Sequence, residues 1–180
     1  MSDVALAGGH SGTWSAATGS QVATFTGHTS TVFSLASLPD GRLASGSNDD
    51  TVRLWDLPSR TCTKVLQHDS VVYALAVLAD GRLASGCDDS KVHLWNVKSG
   101  VREALLEGHT NSVFSLAVLP QGLLASGSAD NTVRVWNVAS LTCVAVLTGH
   151  TDWVWALAAF PDGRLASGDY DGNIRVWELK

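Results

Sequence analysis

Residues 27–56 read GHTSTVFSLASLPDGRLASGSNDDTVRLWD, and three further copies of that wording follow. The copies end on Trp55, Trp95, Trp136 and Trp177, at steps of 40, 41 and 41 residues, and the later ones open at His68, His109 and His150. Within the quoted copy, Val32–Ser37 is a run of small and apolar residues suited to a crowded inner strand. Pro39-Asp40-Gly41 is turn chemistry, because proline presets φ and glycine accepts positive φ. Arg42–Ser47 makes a second strand, Asn48-Asp49-Asp50 a turn and Thr51–Asp56 an alternating third strand. A weaker fourth strand lies around Cys62–Leu66. Four strands in a unit of about 40–45 residues is the pattern of propeller blades. The fold class expected is all-β, with four tandem four-stranded blades.

The repeated wording resembles the WD-repeat family over residues 20–180, nearly the whole chain. Departures are mild. Gln67 replaces the expected glycine before His68, and the Trp-Asp pair survives only at Trp55-Asp56, becoming Trp95-Asn96, Trp136-Asn137 and Trp177-Glu178. The resemblance implies a WD-repeat β-propeller domain with repeats at about 20–60, 61–100, 101–141 and 142–180. The last blade lacks its outer strand unless residues 20–26 supply it, as such rings close by strand exchange. Propellers use four to eight blades, about seven in this family. Four blades therefore imply a partial propeller, a fragment of a longer one, or half of a ring that a homodimer closes at eight, in preference to a tight four-blade ring that closes alone. Residues 1–19 read as a degenerate remnant of another blade. Gly12-Thr13-Trp14-Ser15 looks like its third strand, with Trp14 standing 41 residues before Trp55, yet the aspartate and serine slots before it hold Gly8 and Val4.

Charge and composition narrow the function. A formal net charge of −5 argues against a nucleic-acid groove, which needs a basic stripe. The longest apolar run, Val71 to Ala79, is nine residues, too short to span a bilayer as a helix. The opening Met1-Ser2-Asp3 has no charged region and apolar core of a secretory signal. Cys62, Cys87 and Cys143 are odd in number and lack metal spacing; Cys62 and Cys143 occupy the same repeat position, on separate outer strands. A reducing compartment, the cytoplasm or the nucleus, is expected, with no disulfides, no cofactor and no metal.

Each repeat carries histidine, serine, aspartate and tryptophan at matched spacing. The sets are His28, Ser45, Asp49 and Trp55; His68, Ser85, Asp89 and Trp95; His109, Ser126, Asp130 and Trp136; His150, Ser167, Asp171 and Trp177. Histidine precedes serine by 17 residues and aspartate precedes tryptophan by six throughout. Ser–His–Asp is also a hydrolase constellation. Four copies in four blades, without a Gly-x-Ser-x-Gly elbow to expose the serine, favour a buried structural network. The resemblance implies the same: indole N–H to serine, serine to histidine, histidine to aspartate. His93 stands in a strand slot expected to be exposed, where the other repeats hold Arg53, Arg134 and Arg175. Gly46, Gly86, Gly127 and Gly168 fall mid-strand and precede no helix, so they are not a phosphate loop.

The resemblance also implies where partners dock: beside Val32, Val72, Val113 and Val154, and at the residue before each tetrad aspartate. After each valine stand Phe33, Tyr73, Phe114 and Trp155; before it, Thr31, Val71, Ser112 and Trp153; before the aspartates, Asn48, Asp88, Ala129 and Tyr170. The candidate partner-binding residues are Phe33, Tyr73, Phe114, Trp153, Trp155, Asn48, Asp88 and Tyr170; the alternative is that the rings pack between blades and meet no partner. Arginine is absent from these positions, which suits an apolar or cationic segment better than an anion. The function expected is a non-catalytic protein–protein interaction scaffold that binds proteins or peptides, not nucleic acid or membrane. The alternatives are the substrate-recognition subunit of an assembly such as a ubiquitin ligase or signalling complex, and a hydrolase using a Ser–His–Asp set.

Overall fold

The computed structural model describes residues 4–7, 10–14 and 19–179. The remaining parts of the N-terminal stretch read above as a remnant, Gly8 and Ser15 among them, lie outside the described residues.

The described residues form five antiparallel sheets, each a meander in chain order. The first contains β1 (Val4–Ala7), β2 (His10–Trp14) and β3 (Gln21–Phe25). The second contains β4 (Val32–Ser37), β5 (Leu43–Ser47), β6 (Thr51–Asp56) and β7 (Thr61–Gln67). The third contains β8 (Val72–Val77), β9 (Leu83–Cys87), β10 (Val92–Asn96) and β11 (Val101–Leu106). The fourth contains β12 (Val113–Leu119), β13 (Leu123–Ser128), β14 (Val133–Asn137) and β15 (Thr142–Leu147), with one 3-10 turn at Pro120–Gly122. The fifth contains β16 (Val154–Ala159), β17 (Leu165–Asp169) and β18 (Ile174–Trp177), and has no fourth strand.

The innermost strands β4, β8, β12 and β16 pack side by side, so the sheets fan around a common line as blades do. Apolar clusters fill each gap between neighbouring sheets. The burial follows from that stacking. Strands β5 and β9 are buried at every residue, because a blade covers each face, whereas the outer β7 alternates between exposed and covered positions.

One expectation changes. Residues 21–25 do not complete the last sheet; β3 pairs with β2, in register from Ser11↔Phe25 to Trp14↔Gln21. Phe25 then packs its ring 5.6 Å from Trp55 of the second sheet. The last sheet consequently keeps an open edge at β18. Its outer face is bare too: Ile174 and Val176 are 79% and 54% exposed, while their counterparts Val52 and Leu54 are fully buried. The arc is open, a partial propeller.

Candidate functional site

A β-bulge sits in each inner strand from the second sheet to the fifth. Pairing skips one residue between Val32 and Ser34, Val72 and Ala74, Val113 and Ser115, and Val154 and Ala156. The skipped residues are Phe33, Tyr73, Phe114 and Trp155. A bulge re-aims the unpaired side chain, so all four aromatics leave the pleat at the same height. Their rings meet across blades: Phe33 and Tyr73 at 5.2 Å between centroids, Tyr73 and Phe114 at 4.9 Å, Phe114 and Trp155 stacked at 4.1 Å. Trp153 adds an edge to the ladder, 5.7 Å from Phe114, and Tyr170 continues it at 6.0 Å from Trp153.

Phe33, Trp153, Trp155 and Tyr170 are exposed, and Tyr73 and Phe114 half-buried between their neighbours. Asn48 and Asp88 are exposed beside them. Asp88 accepts hydrogen bonds from Ser112 Oγ at 2.6 Å and Tyr73 Oη at 3.3 Å, which ties the third sheet to the fourth under the ladder. Neither the bulges nor that bond has a signal in one repeat alone; the recurrence of an aromatic after every valine is the only trace.

Behind this face lie the tetrads. In the second sheet, Trp55 Nε1 donates to Ser45 Oγ at 2.7 Å, Ser45 meets His28 Nε2 at 2.6 Å, and His28 Nδ1 meets Asp49 Oδ2 at 2.8 Å. The fourth repeats it with Trp136, Ser126, His109 and Asp130, every step at 2.7 Å. The polarity that satisfies each atom has serine donating to Nε2 and Nδ1–H donating to the carboxylate. Burial opposes ionisation of Asp49, but the Thr51 hydroxyl, the Thr29 amide and His28 outweigh it and hold its pKa at about 2. Burial also lowers the His28 pKa against the pull of Asp49. The serines Ser45, Ser85 and Ser126 are fully buried and Ser167 nearly so, out of reach of any substrate.

Four readings of the sequence need correction. In the fifth sheet the carboxylate that meets His150 Nδ1, at 2.7 Å, belongs to Asp169 and not Asp171. Asp169 stands in the strand slot of Ser47 and Ser128, where the longer acidic side chain reaches the imidazole itself; Asp171 is left to accept from Thr151 Oγ1 at 2.9 Å. In the third sheet Asp89 does not meet His68. His68 Nδ1 donates to the Leu66 carbonyl at 3.1 Å, and Asp89 bonds His93 Nε2 at 2.9 Å. His93 is not exposed but buried, at 2% accessibility, with its ring 5.1 Å from that of His68. Burial, with His93 adjoining, depresses the His68 pKa to about 4. Lastly, the spacing that promised no converging ligands is misleading: the ligand atoms of Cys87, Asp89 and His93 come within 4.8 Å of one another.

A profile described as WD domain, G-beta repeat matches residues 19–56, 60–96, 100–137 and 141–178. The chain belongs to the WD40 family. Among solved structures, it is similar to the crystal structure of the WD40 β-propeller domain of Doa1, with TM-score 0.87 and 25% identity. That likeness covers 98% of this chain and 63% of the other, so this WD40 chain spans under two thirds of that domain's chain. A search of curated protein sequences gave no match. WD40 propellers are generally protein-interaction scaffolds and typically non-catalytic.

Proposed function

We propose that this WD40 arc binds a protein or peptide segment along the ladder of Phe33, Tyr73, Phe114, Trp155, Trp153 and Tyr170, and catalyses nothing. The observation that carries the reading is the unbroken contact of six rings across four blades. Aromatic side chains are large, amphipathic and rigid, and they dominate interface energetics. Phe33, Tyr73, Phe114 and Trp155, held on bulged strands rather than loops, lose little entropy on binding. Asp88 at the margin favours an apolar segment carrying a cationic side chain, which a ring face also attracts. Burial of the four tetrad serines supports the non-catalytic part. A fluorophosphonate probe is expected to leave Ser45, Ser85, Ser126 and Ser167 unlabelled. Three cysteines without disulfides suit a reducing compartment, the cytoplasm or nucleus.

The test is affinity capture with mass spectrometry, comparing the natural chain with Trp155→Ala/Tyr170→Ala. Both rings are exposed, so the variant is expected to keep its unfolding midpoint and lose the captured partners. An unchanged set of partners would refute the reading.

A further inference from the structure

The third sheet departs from its siblings in three slots at once. Where the second and fourth hold Ser47 and Ser128, it holds Cys87; where they hold Arg53 and Arg134, His93; where they hold Thr51 and Thr132, Lys91. Each change has a local consequence. In the sibling sheets the threonine hydroxyl, at 2.6 Å, and the tetrad histidine fix the aspartate. Lys91 offers Asp89 no hydroxyl and pairs outward with Glu107 at 2.7 Å. His68 spends Nδ1 on Leu66. Asp89 therefore turns to His93, and a thiol stands where the siblings place a serine hydroxyl.

We propose that Cys87, Asp89 and His93 form a binding site for a divalent transition-metal cation of the zinc type. It goes beyond the interaction reading and does not depend on it. Sulfur, imidazole nitrogen and carboxylate oxygen are the donors such an ion takes, at about 2.0–2.3 Å each in a tetrahedron. The spread of these atoms, within 4.8 Å of one another, demands only small movements to reach that geometry. Cys87 and His93 are buried and Asp89 is partly open, which leaves a solvent approach on the carboxylate side. Charge also balances: thiolate and carboxylate neutralise the dication, and the thiol proton leaves to solvent. The ion replaces the hydrogen now shared by His93 Nε2 and Asp89. The ring then carries its hydrogen on Nδ1, and Arg102, which donates there at 3.3 Å from the exposed strand β11, must swing away.

The experiment is a cobalt(II) titration of the purified chain, followed by its thiolate-to-cobalt charge-transfer absorption, with zinc(II) as competitor. One cobalt per chain is expected, with the band erased by excess zinc. Cys87→Ser and His93→Arg, which install the residues of the sibling sheets, are expected to abolish the band. Cys62→Ser/Cys143→Ser is expected to keep it, and Arg102→Ala to tighten binding. Absence of the band in the natural chain, or its survival in Cys87→Ser, would overturn the proposal. Should Cys87→Ser fail to fold, His93→Arg decides on the same signal.

Discussion

The serine of each tetrad is the atom through which tryptophan and histidine are both satisfied, and its worth differs between blades. Among the described residues Ser126 Oγ is the sole partner of the Trp136 indole N–H, so Ser126→Ala strands a buried donor and is expected to cost about 1–3 kcal/mol. Ser85→Ala should cost less, because Trp95 Nε1 also lies 3.2 Å from His68 Nε2. Urea unfolding of the two variants checks the order. Acid acts on the same network in two steps of one sign. His28 is held below its usual 6.5 by burial, so below that pH the unfolded chain takes up the proton first and stability falls. Asp49, held at about 2 against an ordinary 3.8, stabilises the fold above pH 3.8, and that contribution is lost as pH falls towards 2. Asp49→Asn is expected to flatten the second step in an acid titration at fixed urea. Constant spacing made these chains legible beforehand in the second and fourth sheets. It misassigned the fifth because Asp169 and Asp171 are two residues apart, and spacing cannot say which carboxylate reaches the ring. It missed His93 because its slot holds arginine elsewhere, and exposure was inferred from charge.

At the scale of the element, the glycines beside the first three tetrad serines meet the next blade, and Gly127 also meets Ser115 Oγ of its own sheet, 2.5 Å from where a Cβ would stand. A Cβ on Gly46 would stand 2.7 Å from Val72 Cγ1, on Gly86 2.8 Å from Val113 Cγ1, and on Gly127 2.8 Å from Val154 Cγ1. The valine that begins each inner strand thus docks on bare backbone of the blade before it. Gly168 occupies the same slot in the last sheet, and its nearest contact would be Ala156 Cβ at 3.8 Å. The two positions should answer differently to one methyl group. Gly127→Ala is expected to cost about 1–3 kcal/mol through overpacking, and Gly168→Ala to stay within about 0.5 kcal/mol of neutral; thermal and chemical unfolding measure both. The blade-to-blade joint has a polar half as well. Arg42 and Arg82, in the turns after β4 and β8, donate to the carbonyls of Val97 and Val138 in the following sheets, at 3.2 and 3.1 Å. Strands and turns could be read off one repeat because propensity and turn chemistry are local. The joints could not, since each needs two repeats in contact.

At the scale of the molecule, the recurring tryptophan was enough to reveal the blades, but not how many sheets form. Counting back from Trp14 finds no tetrad, yet backbone pairing joins β1–β3 into a sheet, and the missing tetrad left no signal for it. That first sheet uses the strand expected to close the ring. A dimer closing at eight blades would have to displace it, because two copies of five sheets bring ten, beyond the range of four to eight. What the open arc exposes is the face of the last sheet and the unpaired edge of β18. Exposed apolar faces and bare strand edges drive association. By light scattering, the isolated chain is accordingly expected to show a mass above its own 18.9 kDa, rising with concentration. Ile174→Lys/Val176→Lys places charges on side chains already facing water, so it should return the mass towards the single chain at little cost to the unfolding midpoint. A chain that is monomeric at every concentration, or a variant that associates as before, would show that the last sheet's face is not the seat of association.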